Sequence, residues 1–195
     1  MKSLKINTLV LSMILLMGLT TKAQEFHYGV KAGANFAVQS EIAYYYNNED
    51  IRVGFQGGIF GNMSLAKNFS LQAEVNYEQK GGKSEEITSK YDYITVPVLA
   101  KYTIGEKDLK FNFNLGPYVG YLVNAELESN NNTTDVIDSS EDFEFGAIAG
   151  IGLSYPVANN NIVLDLRLGL GLSAYNQNDT KPNNKYVGLT LGYEF

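Results

Sequence analysis

The 195-residue chain contains no cysteine and no tryptophan, and it has only 1 histidine. Without cysteine it can form neither a disulfide nor a thiolate metal site, and it cannot carry the lipidated cysteine of a lipoprotein. Basic residues are also in the minority, since 15 Lys and Arg stand against 21 Asp and Glu for a formal net charge of −6. An acidic surface repels the phosphate backbone. Nucleic-acid binding is therefore excluded as a class of function.

The sequence also lacks the spacings that support common enzyme chemistry. It has no GxSxG nucleophile elbow, no HExxH zinc motif and no phosphate-binding P-loop. His27 falls at the start of the first predicted strand, and the serines of the later loops have no histidine beside them to act as a base. We therefore expect no catalytic residues, no cofactor and no resident metal.

Residues 1–23 are typical of a secretory signal peptide. Lys2 and Lys5 supply the charged start, residues 9–19 are mainly apolar, and Thr21 and Ala23 are small residues before a cleavage site. The apolar run is too short to predict a transmembrane helix. Removing this segment with its three lysines takes the formal charge from −6 to −9 and leaves one predicted domain at residues 24–195.

No helical periodicity occurs after residue 23, and the rest of the chain alternates apolar residues with polar or small ones. Short connections at 64–68, 104–108 and 156–161 alternate with long ones at 38–50, 81–92, 124–142 and 175–185. This alternation is typical of outer-membrane barrels, which have short periplasmic turns and long extracellular loops. The predicted strands cover residues 26–37, 51–63, 69–80, 93–103, 109–123, 143–155, 162–174 and 186–195.

The distribution of charge over the two faces of these strands indicates which face contacts lipid. One parity carries no charged residue in any predicted strand, whereas a soluble barrel would bury its apolar side chains and expose its charges. Aromatic residues near both ends of the apolar parity are typical of interfacial girdles. The sequence therefore predicts an all-β protein, an eight-stranded antiparallel up-and-down transmembrane β-barrel in the outer membrane.

Three stretches resemble a known family. Residues 93–102 (YITVPVLAKY), 115–121 (LGPYVGY) and 164–172 (LDLRLGLGL) are similar to strands of the Bacteroidetes outer-membrane β-barrel proteins, the PorT-like and porin-family group. The resemblance extends over the whole mature chain and implies an integral outer-membrane protein. Thr95 replaces the acidic residue usual in the fourth strand, so no role of that carboxylate is implied. Tyr193 and the terminal Phe195 resemble the signal read by the barrel assembly machinery.

The charged residues of the opposite parity are predicted to lie inside the barrel. Eight strands enclose an interior that side chains just fill, and charges removed from water are retained mainly where they pair. A closed, salt-bridged lumen with Arg167 at its centre is therefore favoured, and a small porin-like channel is the alternative. The predicted lumen network consists of Lys31, Arg52, Glu74, Glu78, Lys101, Glu144, Asp165 and Arg167.

Two long connections are the predicted binding surfaces. Tyr44, Tyr45 and Tyr46 form an aromatic cluster typical of recognition sites, although it could instead fold onto the rim or enter lipopolysaccharide. Connection 124–142 holds six acidic and no basic residues, which predicts a solvated, mobile loop, with divalent-cation binding as a second hypothesis. We expect a monomer in outer-membrane lipid and lipopolysaccharide that binds an extracellular partner. A role in envelope assembly or secretion, through a periplasmic partner, is the alternative that the resemblance suggests.

Overall fold

The computed structural model describes residues 25–39, 51–83, 87–105, 109–129, 132–135, 137, 142–172 and 184–195. The predicted signal peptide at residues 1–23 lies outside these ranges and stays a prediction. Within them, no helix has the length and hydropathy that a transmembrane helix needs.

Nine strands occupy most of the described residues, and in eight of them apolar residues recur at alternate positions, with Val, Ile, Leu, Phe and Tyr the commonest. The strands are β1 (Phe26–Gln39), β2 (Arg52–Ala66), β3 (Phe69–Lys83), β4 (Ile87–Ile104), β5 (Lys110–Ser129), β6 (Asn132–Asp135), β7 (Phe143–Val157), β8 (Asn160–Gly171) and β9 (Asn184–Glu194).

The sheet closes on itself. Its order is β4-β3-β2-β1-β9-β8-β7-β5-β6, and the additional pairing of β4 with β5 joins the two sides into a ring. All the pairings are antiparallel, and β6 pairs only with β5. Eight strands therefore form the ring, and β6 pairs with the end of β5 without taking part in the closure. This closed antiparallel eight-stranded barrel confirms the predicted fold class.

The two faces of the barrel differ in the way that the alternation predicts. Apolar side chains such as Leu168 (57% exposed) and Leu191 (59%) lie on the outside. Polar and charged side chains are buried inside, where Glu74 and Arg167 are 2% and 5% exposed. Aromatic residues ring both ends of the outer face, and the exposed ones include Phe26, Phe36, Phe69, Tyr102, Phe111, Tyr121, Phe143, Tyr155 and Phe195.

The largest departure from the sequence prediction is at the end of the barrel opposite the termini. β4 has 18 residues and β5 has 20, against 12 in β8, and a tilted membrane-spanning strand needs about 9–11. Residues 81–83, 87–92, 124–129 and 132–135 pair in that order across β3, β4, β5 and β6. We call these four segments the projecting sheet. The prediction of a long loop at 81–92 was therefore wrong, and so was the prediction of a loop at 124–142 for its residues 124–129 and 132–135, which are paired strands.

Hydrophobic packing explains this extension of the strands. Tyr91, Tyr93, Leu122 and Ala125 form a buried cluster at the base of the projecting sheet, and Ile137 packs against it. A register shift accompanies the cluster, because Asp92 pairs with Asn124 whereas Tyr93 pairs with Leu122. The extra residue of such a β-bulge shifts the alternation by one position. Beyond the bulge the alternation of inward and outward side chains in β5 is therefore out of phase with the rest of the strand. A prediction that assumes a strict two-residue period ends β5 at this point.

Candidate functional site

The middle of the lumen is occupied by a group of four charged residues, which we call the central cluster. Arg167 Nη1 donates to both carboxylate oxygens of Glu74, at 2.9 and 2.8 Å, and its Nη2 lies 2.9 Å from Asp165 Oδ2. Lys31 Nζ donates to Glu74 Oε2 at 2.5 Å. The Glu74 side chain is fully buried. Two cations and two carboxylates thus neutralise one another inside the barrel.

Amide side chains complete the hydrogen bonding of the central cluster. Gln72 and Asn76 donate to the Glu74 carboxylate at 2.5 and 2.9 Å, and they flank Glu74 at the alternate positions of β3 that face the lumen. Asn114 of β5 donates to Asp165 at 3.2 Å. Buried charges are retained where they are paired and hydrogen-bonded. The order of Gln72, Glu74 and Asn76 along β3 therefore places the carboxylate between the two amides that donate to it.

A second group lies around Lys80, and we call it the lysine cage. Lys80 is fully buried, and its Nζ lies 2.7 Å from Glu144 Oε1 and 3.2 Å from Glu78 Oε2. The Tyr118 hydroxyl donates to Glu144 Oε1 at 2.7 Å. Cation–π attraction adds to the ion pairs where an ammonium lies within about 6 Å of a ring. The Lys80 ammonium lies 5.1, 4.6 and 4.7 Å from the ring centroids of Tyr93, Tyr118 and Tyr186.

Two glycines allow these rings to lie close to the barrel wall. A Cβ added at Gly169 would lie 2.0 Å from Tyr186 Cε1, and one at Gly146 would lie 2.3 Å from Tyr118 Cε1. Any larger residue would push the rings away from the ammonium. The glycines on the inner face of β7 and β8 are therefore part of the cage.

Arg52 and Lys101 differ from the other members of the predicted lumen network. Arg52 Nη1 donates to the main-chain oxygen of Lys80, and Lys101 Nζ donates to Gln72 Oε1 at 3.3 Å. Within the described ranges, neither cation has a carboxylate oxygen within the 4.0 Å of an ion pair. Two members of the predicted lumen network are therefore bound by neutral acceptors, a main-chain oxygen and the Gln72 side chain.

Sequence reasoning missed Lys80 and its three tyrosines. Lys80 has the same parity as Glu74 and Glu78, and this could have assigned it to the lumen. The inward tyrosines are of the same residue type as the interfacial girdles, so residue type alone does not assign them to the lumen.

The structure describes the residues of the predicted assembly signal but not the predicted tyrosine cluster. Tyr44, Tyr45 and Tyr46 lie outside the described residues. Phe195 lies at the barrel end that carries the termini, where its N–H donates to Tyr28 O at 2.7 Å. Its ring lies 5.3 Å from the Tyr28 ring and 5.0 Å from the Tyr193 ring, measured between centroids.

The described residues include no group of three His, Asp or Glu side chains arranged to hold a metal ion. His27 lies at the rim near the termini, with Nε2 3.9 Å from Glu25 Oε2. The central cluster balances two cations with two carboxylates, whereas the lysine cage has one cation between two carboxylates. Such an arrangement can fill and stabilise a lumen.

Comparison with known proteins is consistent with this geometry. The family model of the outer membrane protein β-barrel domain matches residues 22–177. None of the curated proteins matches the chain.

Solved structures with similar folds are also outer-membrane proteins. Neisserial surface protein A gives a TM-score of 0.55 at 12% identity, over 89% of this chain and 100% of that chain. The outer membrane protein OprG from Pseudomonas aeruginosa gives 0.50 at 11% identity, over 88% and 97%. Ail, the attachment invasion locus protein of Yersinia pestis, gives 0.48 at 16% identity, over 88% and 99%. At these identities the likeness concerns the fold alone.

Proposed function

The chain belongs to the outer membrane protein β-barrel domain family and lies in the outer membrane, and we propose that it acts there as a closed scaffold that binds a partner through its extracellular end. In such barrels the short turns face the periplasm and the long connections face outward. The termini then lie on the periplasmic side and the projecting sheet lies outside the cell.

The proposal of a closed lumen is supported by the two charge groups inside it. The central cluster connects β1, β3 and β8, and the lysine cage connects β3 with β7. Eight-stranded barrels have interiors that side chains just fill. The alternative, a small porin-like channel, would need these buried ion pairs to separate, and breaking a buried pair is costly.

The observation that carries the binding proposal is the length of β4 and β5. Their 18 and 20 residues exceed the roughly 9–11 that cross a membrane. The extra residues form a sheet with its own hydrophobic cluster. Loops and sheets held on a rigid frame are where binding residues are usually found.

Tyr44, Tyr45 and Tyr46 belong to the same proposal. In the sequence they lie between β1 and β2, and the described residues on either side, Gln39 and Arg52, are at the same end of the barrel as the projecting sheet. On the sheet, Glu126 and Glu128 supply negative charge and Lys90 Nζ pairs with Glu128 Oε1. Tyrosine side chains together with an acidic sheet would suit a partner with basic and apolar groups.

The experiment is a pull-down from intact outer membranes. One variant has Tyr44, Tyr45 and Tyr46 changed to Ser, and a second has Glu126→Gln and Glu128→Gln, which remove charge and keep the shape of the strand. Loss of the same bound protein from either variant supports the proposal. Recovery of unchanged partners from both variants would overturn it and direct attention to the periplasmic turns.

The proposal also covers the oligomeric state, the lipid contact and the assembly of the protein. We propose a monomer that contacts lipopolysaccharide and is inserted by the barrel assembly machinery, with Tyr193 and Phe195 as the signal. The resemblance of residues 93–102 to the PorT-like group of Bacteroidetes favours envelope assembly or secretion as the second candidate function. That role would use a periplasmic partner, so the pull-down distinguishes it from extracellular binding.

A further inference from the structure

The end of the barrel that carries the termini contains a polar cavity of about 300 Å³, which we call the vestibule. All eight strands of the ring contribute lining side chains to it, and most of these side chains are polar. The share of liquid volume taken by one water is about 30 Å³, so the vestibule has room for a molecule the size of an amino acid or dipeptide. It lies between the central cluster and the end of the barrel that carries Phe195, which is the end opposite the projecting sheet.

Several polar groups that line the vestibule pair with one another. Thr103 Oγ1 donates to Asn112 Oδ1 at 2.9 Å, and Asn112 Nδ2 donates to Ser154 Oγ at 2.7 Å. Asn161 Nδ2 donates to Glu194 Oε1 at 2.9 Å. Polar groups of the vestibule that have few or no partners among the described residues can therefore indicate a ligand, because buried polar atoms normally have hydrogen-bond partners.

Lys101 is the group left over on one wall. Its side chain is 5% exposed, and its ammonium, which has three N–H donors, makes one long bond of 3.3 Å to Gln72 Oε1. Gln72 in turn donates to Glu74, whose carboxylate already binds Lys31 and Arg167. In the described part of the chain no carboxylate pairs with Lys101. A buried, uncompensated ammonium in a polar cavity attracts an anionic group.

The opposite wall has an unused acceptor. Glu194 Oε2 on β9 is buried and has no hydrogen-bond partner among the described residues. The same is true of Asn62 Oδ1 on β2, which lies halfway round the ring between β4 and β9. Around the ring, β4 with Lys101 and β9 with Glu194 are separated by β3, β2 and β1 on one side and by β5, β7 and β8 on the other. In a ring of eight strands these two positions face each other across the lumen. The vestibule therefore has a donor wall and an acceptor wall.

We propose that the vestibule binds a small zwitterion from the periplasm, such as an amino acid or a short peptide, with its carboxylate on Lys101 and its ammonium on Glu194 and Asn62. Each end of such a ligand would meet one side chain of opposite charge, Lys101 or Glu194, that has no ion pair among the described residues. The site shares no residue with the proposed extracellular binding surface, so each proposal can fail without the other.

The test is calorimetric titration of the folded protein in nonionic detergent with three probes of similar size. Glycylglycine carries both charges, N-acetylglycine lacks the ammonium, and glycylglycinamide lacks the carboxylate. We expect saturable binding of glycylglycine and binding weaker by about tenfold or more for the other two, since a hydrogen bond between charged groups typically decides an affinity by that factor.

Variants assign the two walls. Lys101→Met should weaken glycylglycine binding by about tenfold or more, whereas Lys67→Met, an exposed lysine at the edge of the same cavity, should leave it unchanged. Glu194→Gln should abolish the preference for glycylglycine over N-acetylglycine. Lys101→Arg keeps the charge and should retain binding, which controls for misfolding of the Met variant. Absence of saturable binding, equal binding of the three probes, or an unchanged affinity in Lys101→Met would overturn the proposal.

Discussion

Nη1 of Arg167 on β8 contacts both carboxylate oxygens of Glu74 on β3, at 2.9 and 2.8 Å, and these two strands lie on opposite sides of the ring. The contact therefore spans the lumen. Lys31 of β1 donates to the same carboxylate. Three strands far apart in the ring are thus joined by one buried acid, and the stability of the barrel should depend on it.

The first prediction concerns Arg167→Met. It should lower the free energy of unfolding by about 3–5 kcal/mol, because removing one partner leaves Glu74 and Asp165 buried with less compensation. Urea unfolding in detergent, followed by the difference in gel mobility between folded and boiled protein, measures this change.

Lys90→Met is the matched control for this variant. It breaks the Lys90–Glu128 pair, whose side chains are 33% and 42% exposed, and pairs that face solvent typically contribute about 0–1 kcal/mol. Equal midpoints for Arg167→Met and the unmodified protein would indicate a wet lumen.

The second prediction concerns the lysine cage. Lys80→Met should also cost about 3–5 kcal/mol, because Glu78 and Glu144 remain buried without their cation. Near-ultraviolet circular dichroism should change as well, since the rings of Tyr93, Tyr118 and Tyr186 surround the ammonium. In the double variant Lys80→Met with Glu144→Gln, the loss should be smaller than the sum of the two single losses, because one of the unpaired charges is removed. Strictly additive losses would show that the two side chains do not interact.

The fold could be predicted from the sequence because lipid and lumen impose opposite chemistries on alternate residues of each strand. The apolar parity of 162–172, for example, has Leu or Ile at every position and is exposed throughout. The partners of each inward charge could not be predicted in the same way. Glu74 and Arg167 are 93 residues apart, and whether they meet depends on the stagger of all the strands between them.

The projecting sheet escaped prediction for a different reason. Residues 124–129 contain two glutamates and follow a β-bulge at Val123, so neither composition nor period indicated a strand. The packing of Tyr91 and Tyr93 against Leu122 and Ala125 makes the extension stable. Tertiary contacts of this kind override local propensity.

The third prediction concerns ion flow. The central cluster and the lysine cage occupy successive levels of β3, at Glu74 and at Glu78 with Lys80, so they block the lumen in series. In planar bilayers the unmodified protein should show no steady conductance, and neither should a variant in which only one group is truncated to Ala. Truncation of Arg167, Glu74, Lys80 and Glu144 together should produce stepwise currents. Steady conductance from the unmodified protein would instead support the channel alternative.

The fourth prediction separates the assembly role of Phe195 from its contribution to folded stability. The Phe195 ring contacts the Tyr28 ring, and an aromatic pair contributes about 0.5–1.5 kcal/mol beyond its buried area. Phe195→Ala and Tyr28→Ala both remove this pair, and Phe195→Ala also removes the contact with the Tyr193 ring, so Phe195→Ala should lower the unfolding free energy in detergent by at least as much as Tyr28→Ala. In cells they should differ, because only Phe195→Ala changes the terminal residue that resembles the assembly signal.

The measurement is the fraction of heat-modifiable protein in isolated outer membranes, at matched expression of the two variants. Under the proposal that Phe195 is the assembly signal, we expect Tyr28→Ala to assemble nearly as well as the unmodified protein and Phe195→Ala to accumulate unassembled, because only Phe195→Ala removes the residue that the machinery would read. If both variants lose assembly to the same extent, the effect of Phe195 follows from stability alone, and its role as a signal is wrong.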